Sequence, residues 1–211
     1  MRLTSLPDIL RMFGPMVGKL PAAHLWYLFC RMFNEKPHRF VGASRKAGTV
    51  RINTFFPPYP SPAFDRFVQA VIARRRVPFS TYLAVTSDCP FHCGHCSYGR
   101  RPARELSRDQ VIGLIGQIKA LGTCTLGLTG GEPLLRDDLA ELVAAAKPEM
   151  ATIVFTTGYG LDAAKAAALA EAGLDCLTVG IESSDPLAHD AVRGQAGSTT
   201  TPRPRRRGCC R

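Results

Sequence analysis

Residues 87–98 read SDCPFHCGHCSY, and this stretch places Cys89, Cys93 and Cys96 in a CxxxCxxC spacing. It directly follows an apolar, strand-like run at residues 79–86. A second motif, Gly-Gly-Glu-Pro (GGEP) at residues 130–133, follows a later apolar run. Together the two motifs are the strongest functional signal in the chain, and the other segments are interpreted around them.

From residue 79 onwards the pattern predicts regular alternation of strands and helices. Short apolar runs predict strands at residues 79–86, 125–128, 152–155 and 176–181. Helices are predicted at residues 107–121, 136–147 and 162–173, and from residue 185 onwards. Four strands separated by helices and short links imply a parallel sheet with right-handed crossovers. The predicted fold class is α/β, with about four β/α units.

Local signals mark where these helices begin and end. Ser107 and Gln110 have the spacing of a capping box, and Gly122 predicts the end of that helix. Asp162 is the predicted N-cap of an alanine-rich helix. Asp185 and the proline after it predict an N-cap and a first helical residue.

Polar motifs stand where each predicted strand ends. They are the cysteine segment, GGEP, Thr-Thr-Gly at residues 156–158 and Glu-Ser-Ser at residues 182–184. In parallel α/β folds ligands bind at the carboxyl ends of the strands. We therefore expect these four segments to form one site.

Three thiolates so close together can face one soft metal centre. Cysteines hold iron–sulfur clusters, and a set of three would leave one iron of a cubane open. Zinc held by the three cysteines and either His92 or His95 is an alternative, although a histidine adjacent to a cysteine is an awkward ligand pair. Residues 93–96 also form a CxxC redox motif. Spacing alone leaves iron, zinc and thiol chemistry open.

CxxxCxxC after a first strand, followed by a strand that ends in GGEP, resembles the radical S-adenosylmethionine (radical SAM) superfamily over residues 79–194. The resemblance implies a partial TIM-like (β/α) barrel that binds a [4Fe–4S] cluster and S-adenosylmethionine (SAM). The cluster would be held by Cys89, Cys93 and Cys96, and the amine and carboxylate of SAM would chelate the fourth iron. The cofactor-binding residues that it implies are Gly130, Gly131, Glu132, Pro133, Thr156, Thr157, Glu182, Ser183, His95 and Tyr98.

Within that set the resemblance assigns different contacts. GGEP would meet the methionyl ammonium through backbone carbonyls and the Glu132 carboxylate. The polar residues at the next two strand ends would contact the ribose and carboxylate of SAM, and His95 and Tyr98 would pack near adenine. The implied reaction is reductive cleavage of SAM to a 5′-deoxyadenosyl radical that abstracts hydrogen from an unknown substrate. The electron would come from a donor such as flavodoxin or ferredoxin.

Residues 1–78 are predicted to form an N-terminal helical extension with a proline-rich connection at residues 57–62. Its first 35 residues suit either packing on the main domain or peripheral contact with a membrane surface, given their aromatic and basic residues. Without a signal peptide or a run of about 20 apolar residues, a cytoplasmic protein is expected.

The barrel is predicted to span residues 79–197, and residues 198–211 form a basic tail without apolar periodicity. Five arginines of this tail account for half of the net charge of +10, which argues against a specific nucleic-acid partner. Because six strands are usual for the family, the favoured interpretation is a chain truncated at its C-terminus, and an acid- or RNA-binding disordered tail is the alternative.

Overall fold

The computed structural model describes residues 14–26, 43–44, 49–50, 54–98 and 105–198. Its central feature is a four-stranded parallel sheet with strands in chain order, which confirms the predicted α/β fold. The strands are β1 Ala43–Ser44 and β2 Thr49–Val50, which pair only with each other, and β3 Ser80–Thr86, β4 Thr125–Gly130, β5 Ala151–Thr156 and β6 Cys176–Val179. The α-helices are α1 Pro62–Ile72, α2 Arg108–Ala120, α3 Leu139–Ala146, α4 Ala163–Glu171 and α5 Pro186–Arg193.

The predicted caps account for most helix starts. Ser107 and Gln110 form both bonds of a capping box at α2. Asp162 accepts a hydrogen bond from the backbone of Lys165 at the start of α4, and Asp185 caps α5. These local bonds satisfy amides that have no partner within the helix.

The core lies between one face of the sheet and helices α2 to α4. Leu126 and Leu128 of β4 are fully buried in it, and Gly127 between them faces the opposite side. On that opposite face the rings of Tyr82 and Phe155 lie over Gly127, with their centroids 5.6 Å apart. The buried members of the core are Val85, Val111, Ile115, Leu126, Leu128, Leu134, Leu139, Leu142, Val143, Ala146, Met150, Val154 and Leu169.

Helix α1 is anchored to the start of the sheet by aromatic side chains. Phe56 contacts Phe67 and Phe79 with ring centroids 5.0 and 5.2 Å apart. Arg66 of α1 donates to the carbonyl of Lys119 at the end of α2. Of the predicted N-terminal helices, residues 22–26 are helical and Gly14–Met16 forms a 3-10 turn.

Several predicted boundaries differ from the observed ones by two or three residues. The helix expected from residue 136 begins at Leu139, because a 3-10 turn at Pro133–Leu135 comes first and the backbone of Arg136 after it is extended. The strand expected to reach residue 181 ends at Val179, because Val179 pairs with Thr156, the last residue of the neighbouring strand β5.

Other expectations concern parts of the chain that are only partly described. Most of the proposed membrane-contact segment and residues 199–211 lie outside the described residues, and the domain boundaries stay predictions. No helix in the described ranges is both long and apolar enough to cross a bilayer.

Candidate functional site

The cysteine segment and GGEP meet at the carboxyl ends of β3 and β4. The amide of Gly131 donates to the carbonyl of Thr86 over 2.8 Å, and the amide of Glu132 donates to the carbonyl of Asp88 over 2.7 Å. These bonds continue the strand pairing past the end of the sheet. Backbone hydrogen bonds therefore join GGEP to the residue directly before Cys89.

Two glycines make this close approach feasible. A Cβ on Gly131 would lie 2.1 Å from the carbonyl oxygen of Asp88, and one on Gly130 would lie 2.3 Å from that of Thr86. Gly130 also has a φ of 121°, which residues with a side chain rarely adopt. The glycine pair is therefore required by the contact between the two segments.

Glu132 ties the end of β4 to the end of β5. Its side chain is fully buried and accepts four hydrogen bonds. One carboxylate oxygen accepts from the amide of Leu134 at 3.0 Å and the hydroxyl of Thr156 at 2.6 Å. The other accepts from the amide of Thr157 at 2.8 Å and from its hydroxyl. Both oxygens are thus engaged within the protein.

Thr156 and Thr157 also stabilise the turn that follows β5. The Thr156 hydroxyl accepts from the amide of Gly158 at 2.8 Å, and the Thr157 hydroxyl accepts from the amide of Tyr159 at 3.2 Å. These bonds hold the strand end against GGEP. The two threonines and Glu132, all named from the sequence, therefore meet as one hydrogen-bonded unit.

The three thiols share one loop but differ in exposure. Cys89 and Cys93 are half-buried and Cys96 is exposed. Burial raises the pKa of the Cys89 thiol, and the charges of Glu132, Cys93 and Cys96 raise it further. A bound metal centre would reverse this balance, since its positive charge favours thiolates.

The sequence profile of the Radical SAM superfamily matches residues 83–200, which is more than half of the 211 residues. The chain belongs to the radical SAM superfamily. Its fold is similar to that of SuiB from Streptococcus suis bound to the precursor peptide SuiA, with a TM-score of 0.51 and 16% identity over 63% of this chain and 32% of SuiB. For SuiB bound to S-adenosylmethionine the TM-score is 0.52 and the identity 17%, over 63% of this chain and 33% of that one. The chain thus spans about a third of the SuiB chains that it matches.

The residues present fit the cofactors that the family implies. Soft thiolates suit iron–sulfur clusters, and the three thiols lie in one loop, where the amide of Cys96 donates to the carbonyl of Cys93 over 3.2 Å. In the described part of the chain, no three His, Cys, Asp or Glu side chains converge on one ion position. A cluster does not demand that convergence, because each thiolate binds a different iron.

Arg193 is a site residue that sequence reasoning missed. It extends from the end of α5 into the cysteine loop and is only 6% exposed. Its guanidinium donates to the sulfur of Cys93 over 3.7 Å and to the carbonyl of Gly180 over 2.8 Å. It also lies 5.7 Å from the ring centroid of Phe91. The available signal was its spacing of four residues from His189, which puts both on one face of α5.

Glu182 contacts both Arg193 and the cysteine loop. Its carboxylate is 3.1 Å from the guanidinium of Arg193 and 3.6 Å from Nε2 of His95. Its amide donates to Nδ1 of the buried His189 over 3.3 Å. The structure therefore brings together Glu182 and His95, both named from the sequence, and links Glu182 to Cys93 through Arg193.

Backbone contacts strengthen the junction between α5 and the loop. The amide of His92 donates to the carbonyl of Arg193 over 3.0 Å. A Cβ on Gly194, whose φ is 67°, would lie 2.8 Å from the carbonyl oxygen of His92. The loop is therefore held on one side by GGEP and on the other by the end of α5.

A second set of missed residues holds the two ends of the cysteine loop. Glu105 accepts from the amide of Ser87 at 2.6 Å and from the hydroxyl of Thr86 at 3.2 Å. Arg136, just after GGEP, donates to the carbonyls of Val85 at 2.9 Å and Leu106 at 3.0 Å. Both contacts join positions far apart in sequence, so no local pattern reveals them.

The remaining predicted residues have more peripheral places. Pro133 is buried at the first position of a 3-10 turn that Glu132 caps. The Ser183 hydroxyl accepts from the amide of Asp185 at 3.1 Å and so shapes the turn before α5. Tyr98 is half-buried at the last described position of the loop.

Proposed function

We propose that this chain binds a [4Fe–4S] cluster through Cys89, Cys93 and Cys96 and binds SAM beside it, as part of a radical SAM enzyme. The observation that carries the proposal is the backbone junction between the two motifs. Gly131 and Glu132 donate to Thr86 and Asp88 over 2.8 and 2.7 Å at the carboxyl ends of adjacent strands. Family membership supports the same assignment.

Held by Cys89, Cys93 and Cys96, the cluster would supply the electron for reductive cleavage of SAM, and hydrogen abstraction from the substrate would follow. The chain's own residues bind and orient these groups. The paired glycines let GGEP lie against the backbone that leads into the cysteine loop, and Glu132 fixes their position through β5. His95 lies in the cysteine loop with Nε2 3.6 Å from the Glu182 carboxylate, and both residues would contact SAM there.

The test is anaerobic reconstitution of the full chain with iron and sulfide. Iron, sulfide and zinc per chain are measured, and SAM and dithionite are then added and 5′-deoxyadenosine is quantified. We expect bound iron and sulfide and the formation of 5′-deoxyadenosine. A variant with Cys89→Ala, Cys93→Ala and Cys96→Ala should lose both, because the thiolate ligands are gone.

Cys124→Ala is the matched control. This cysteine is fully buried outside the site, and burial raises its pKa to about 11, so that it stays a protonated thiol. The control should retain its iron. Zinc without iron, or iron that persists in the triple variant, would overturn the cluster assignment. A cluster that yields no 5′-deoxyadenosine would leave cofactor binding standing and refute the activity.

A further inference from the structure

The guanidinium of Arg193 is a buried positive charge that points at a predicted cluster ligand. It donates to the sulfur of Cys93 over 3.7 Å, and the residue is only 6% exposed. One carboxylate, that of Glu182, lies 3.1 Å away. Among the described residues, its Nε has no hydrogen-bond partner. The positive charge is therefore held in place, with the Glu182 carboxylate as its ion-pair partner.

Several contacts fix the orientation of this side chain. The carbonyl of Gly180 accepts from one nitrogen of the guanidinium at 2.8 Å, and the Phe91 ring lies 5.7 Å from its central carbon. Its own backbone carbonyl accepts from the amide of His92 at 3.0 Å, in the same loop as Cys93. Because backbone and side chain both contact the loop, the donor cannot move away from the sulfur independently.

We propose that Arg193 is a positioning residue that raises the reduction potential of the cluster through Cys93, and that Glu182 is the opposing charge that limits this effect. The inference rests on the proposed function, since it assumes that the three cysteines hold the cluster. It concerns how easily a one-electron donor reduces the site.

The direction of each expected shift in reduction potential follows from the charge that is removed. Reduction adds one electron to the cluster and its thiolates, so a nearby cation and an N–H donor to sulfur stabilise the reduced state. The Glu182 carboxylate acts in the opposite sense, because it is negative and also neutralises part of the guanidinium. Removing Arg193 should make reduction harder, and removing the charge of Glu182 should make it easier.

The size of the expected shift in reduction potential is taken from the effect that a nearby charge has on the ionisation of an anion. A single opposite charge within about 4–6 Å shifts an anion's equilibrium by roughly 10- to 1,000-fold. The Glu182 carboxylate reduces the effect of Arg193, so we expect the lower end of that range. Arg193→Met should lower the equilibrium constant for cluster reduction about tenfold, which is a shift of about 59 mV for a one-electron couple.

The experiment compares reconstituted full-length variants by redox titration monitored by electron paramagnetic resonance. Arg193→Met should titrate at a lower potential than the wild type. Arg193→Lys, which keeps the charge but loses the planar fork, should fall between them. Glu182→Gln should titrate at a higher potential. The matched control is Arg108→Gln, which removes an arginine paired with Glu141 on the exposed surface and should leave the potential unchanged.

Opposite shifts in Arg193→Met and Glu182→Gln would support the inference, because loosening of the structure alone would not give opposite signs. If Arg193→Met fails to hold iron, Glu182→Gln decides alone, and an unchanged or lower potential there overturns the inference. If Arg193→Met and Glu182→Gln both titrate at the wild-type potential, the inference is also overturned and the proposed function is left intact. A wild-type chain that binds no cluster overturns both.

Discussion

Replacing Glu132 tests whether its carboxylate serves the fold or is held ready for a ligand. The side chain is fully buried, and its two oxygens accept from two backbone amides and two hydroxyls. In Glu132→Gln one oxygen becomes an NH2 group. The threonine hydroxyls can rotate to accept from that group, but a backbone amide cannot. One amide, that of the buried Leu134 or of the half-buried Thr157, is therefore left without an acceptor.

An orphaned buried donor costs about 1–3 kcal/mol, so we expect Glu132→Gln to lower the free energy of unfolding by about that amount. Glu132→Ala leaves both amides, those of Leu134 and Thr157, without acceptors and should cost about 2–6 kcal/mol by the same reasoning. Domains are stable by only about 5–15 kcal/mol, so both changes are measurable. The assay is urea denaturation of the full chain followed by far-ultraviolet circular dichroism.

The control for this series is Glu141→Gln on α3. Glu141 is more than half exposed and pairs with Arg108 at 3.0 Å, so its loss should change stability by less than about 0.5 kcal/mol. If Glu132→Gln is as stable as this control, the reasoning fails. A carboxylate kept for a ligand would then be the better explanation, since its loss would weaken SAM binding without weakening the fold.

Two further changes test the contacts around the loop. Gly131→Ala should destabilise the chain and impair iron retention, because the new Cβ would lie 2.1 Å from the Asp88 carbonyl oxygen. The control is Gly116→Ala, whose Cβ would meet nothing within 4 Å. In the same urea and iron assays it should be neutral or slightly stabilising. Equal stability of the two variants would contradict the close approach. The hydrogen bond from Arg136 holds the pKa of Asp138 below its ordinary value. The ionised Asp138 carboxylate therefore stabilises the fold at neutral pH, and this contribution is lost as the pH falls below about 4 and through the lower pKa of the folded state. Urea unfolding of wild type and Asp138→Asn should therefore show a gap at pH 7 that closes in acid, and a gap that persists in acid would refute the assignment.

Local chemistry was enough to predict most of the architecture. The capping pair Ser107 and Gln110 marks a helix start by bonds within four residues, and Asp162 does the same for the alanine-rich helix. The wrong boundaries depend on the elements next to them. β6 stops at Val179 because its partner β5 stops at Thr156, and a window of neighbouring residues cannot reveal that pairing. The helix expected from residue 136 starts late because the backbone of Arg136 is extended after a 3-10 turn.

The same limit applies to the site. The cysteines and GGEP are motifs and could be recognised from spacing, and the structure brings both to one edge of the sheet. Arg193 could not be assigned a role, because its partner Cys93 lies 100 residues earlier. The hydrogen bonds from Thr156 and Thr157 to the Glu132 carboxylate could not be predicted from the sequence either, since they depend on how two strand ends lie side by side.

The backbone bond between His92 and Arg193 sets the smallest fragment that can reproduce this site. A peptide cut after β6 would retain all three cysteines and GGEP, and a motif search would judge it complete. It would lack the guanidinium at Cys93 and the carbonyl that holds the amide of His92. Anyone excising this domain, or grafting its loop onto another scaffold, must therefore carry α5 along as far as Gly194.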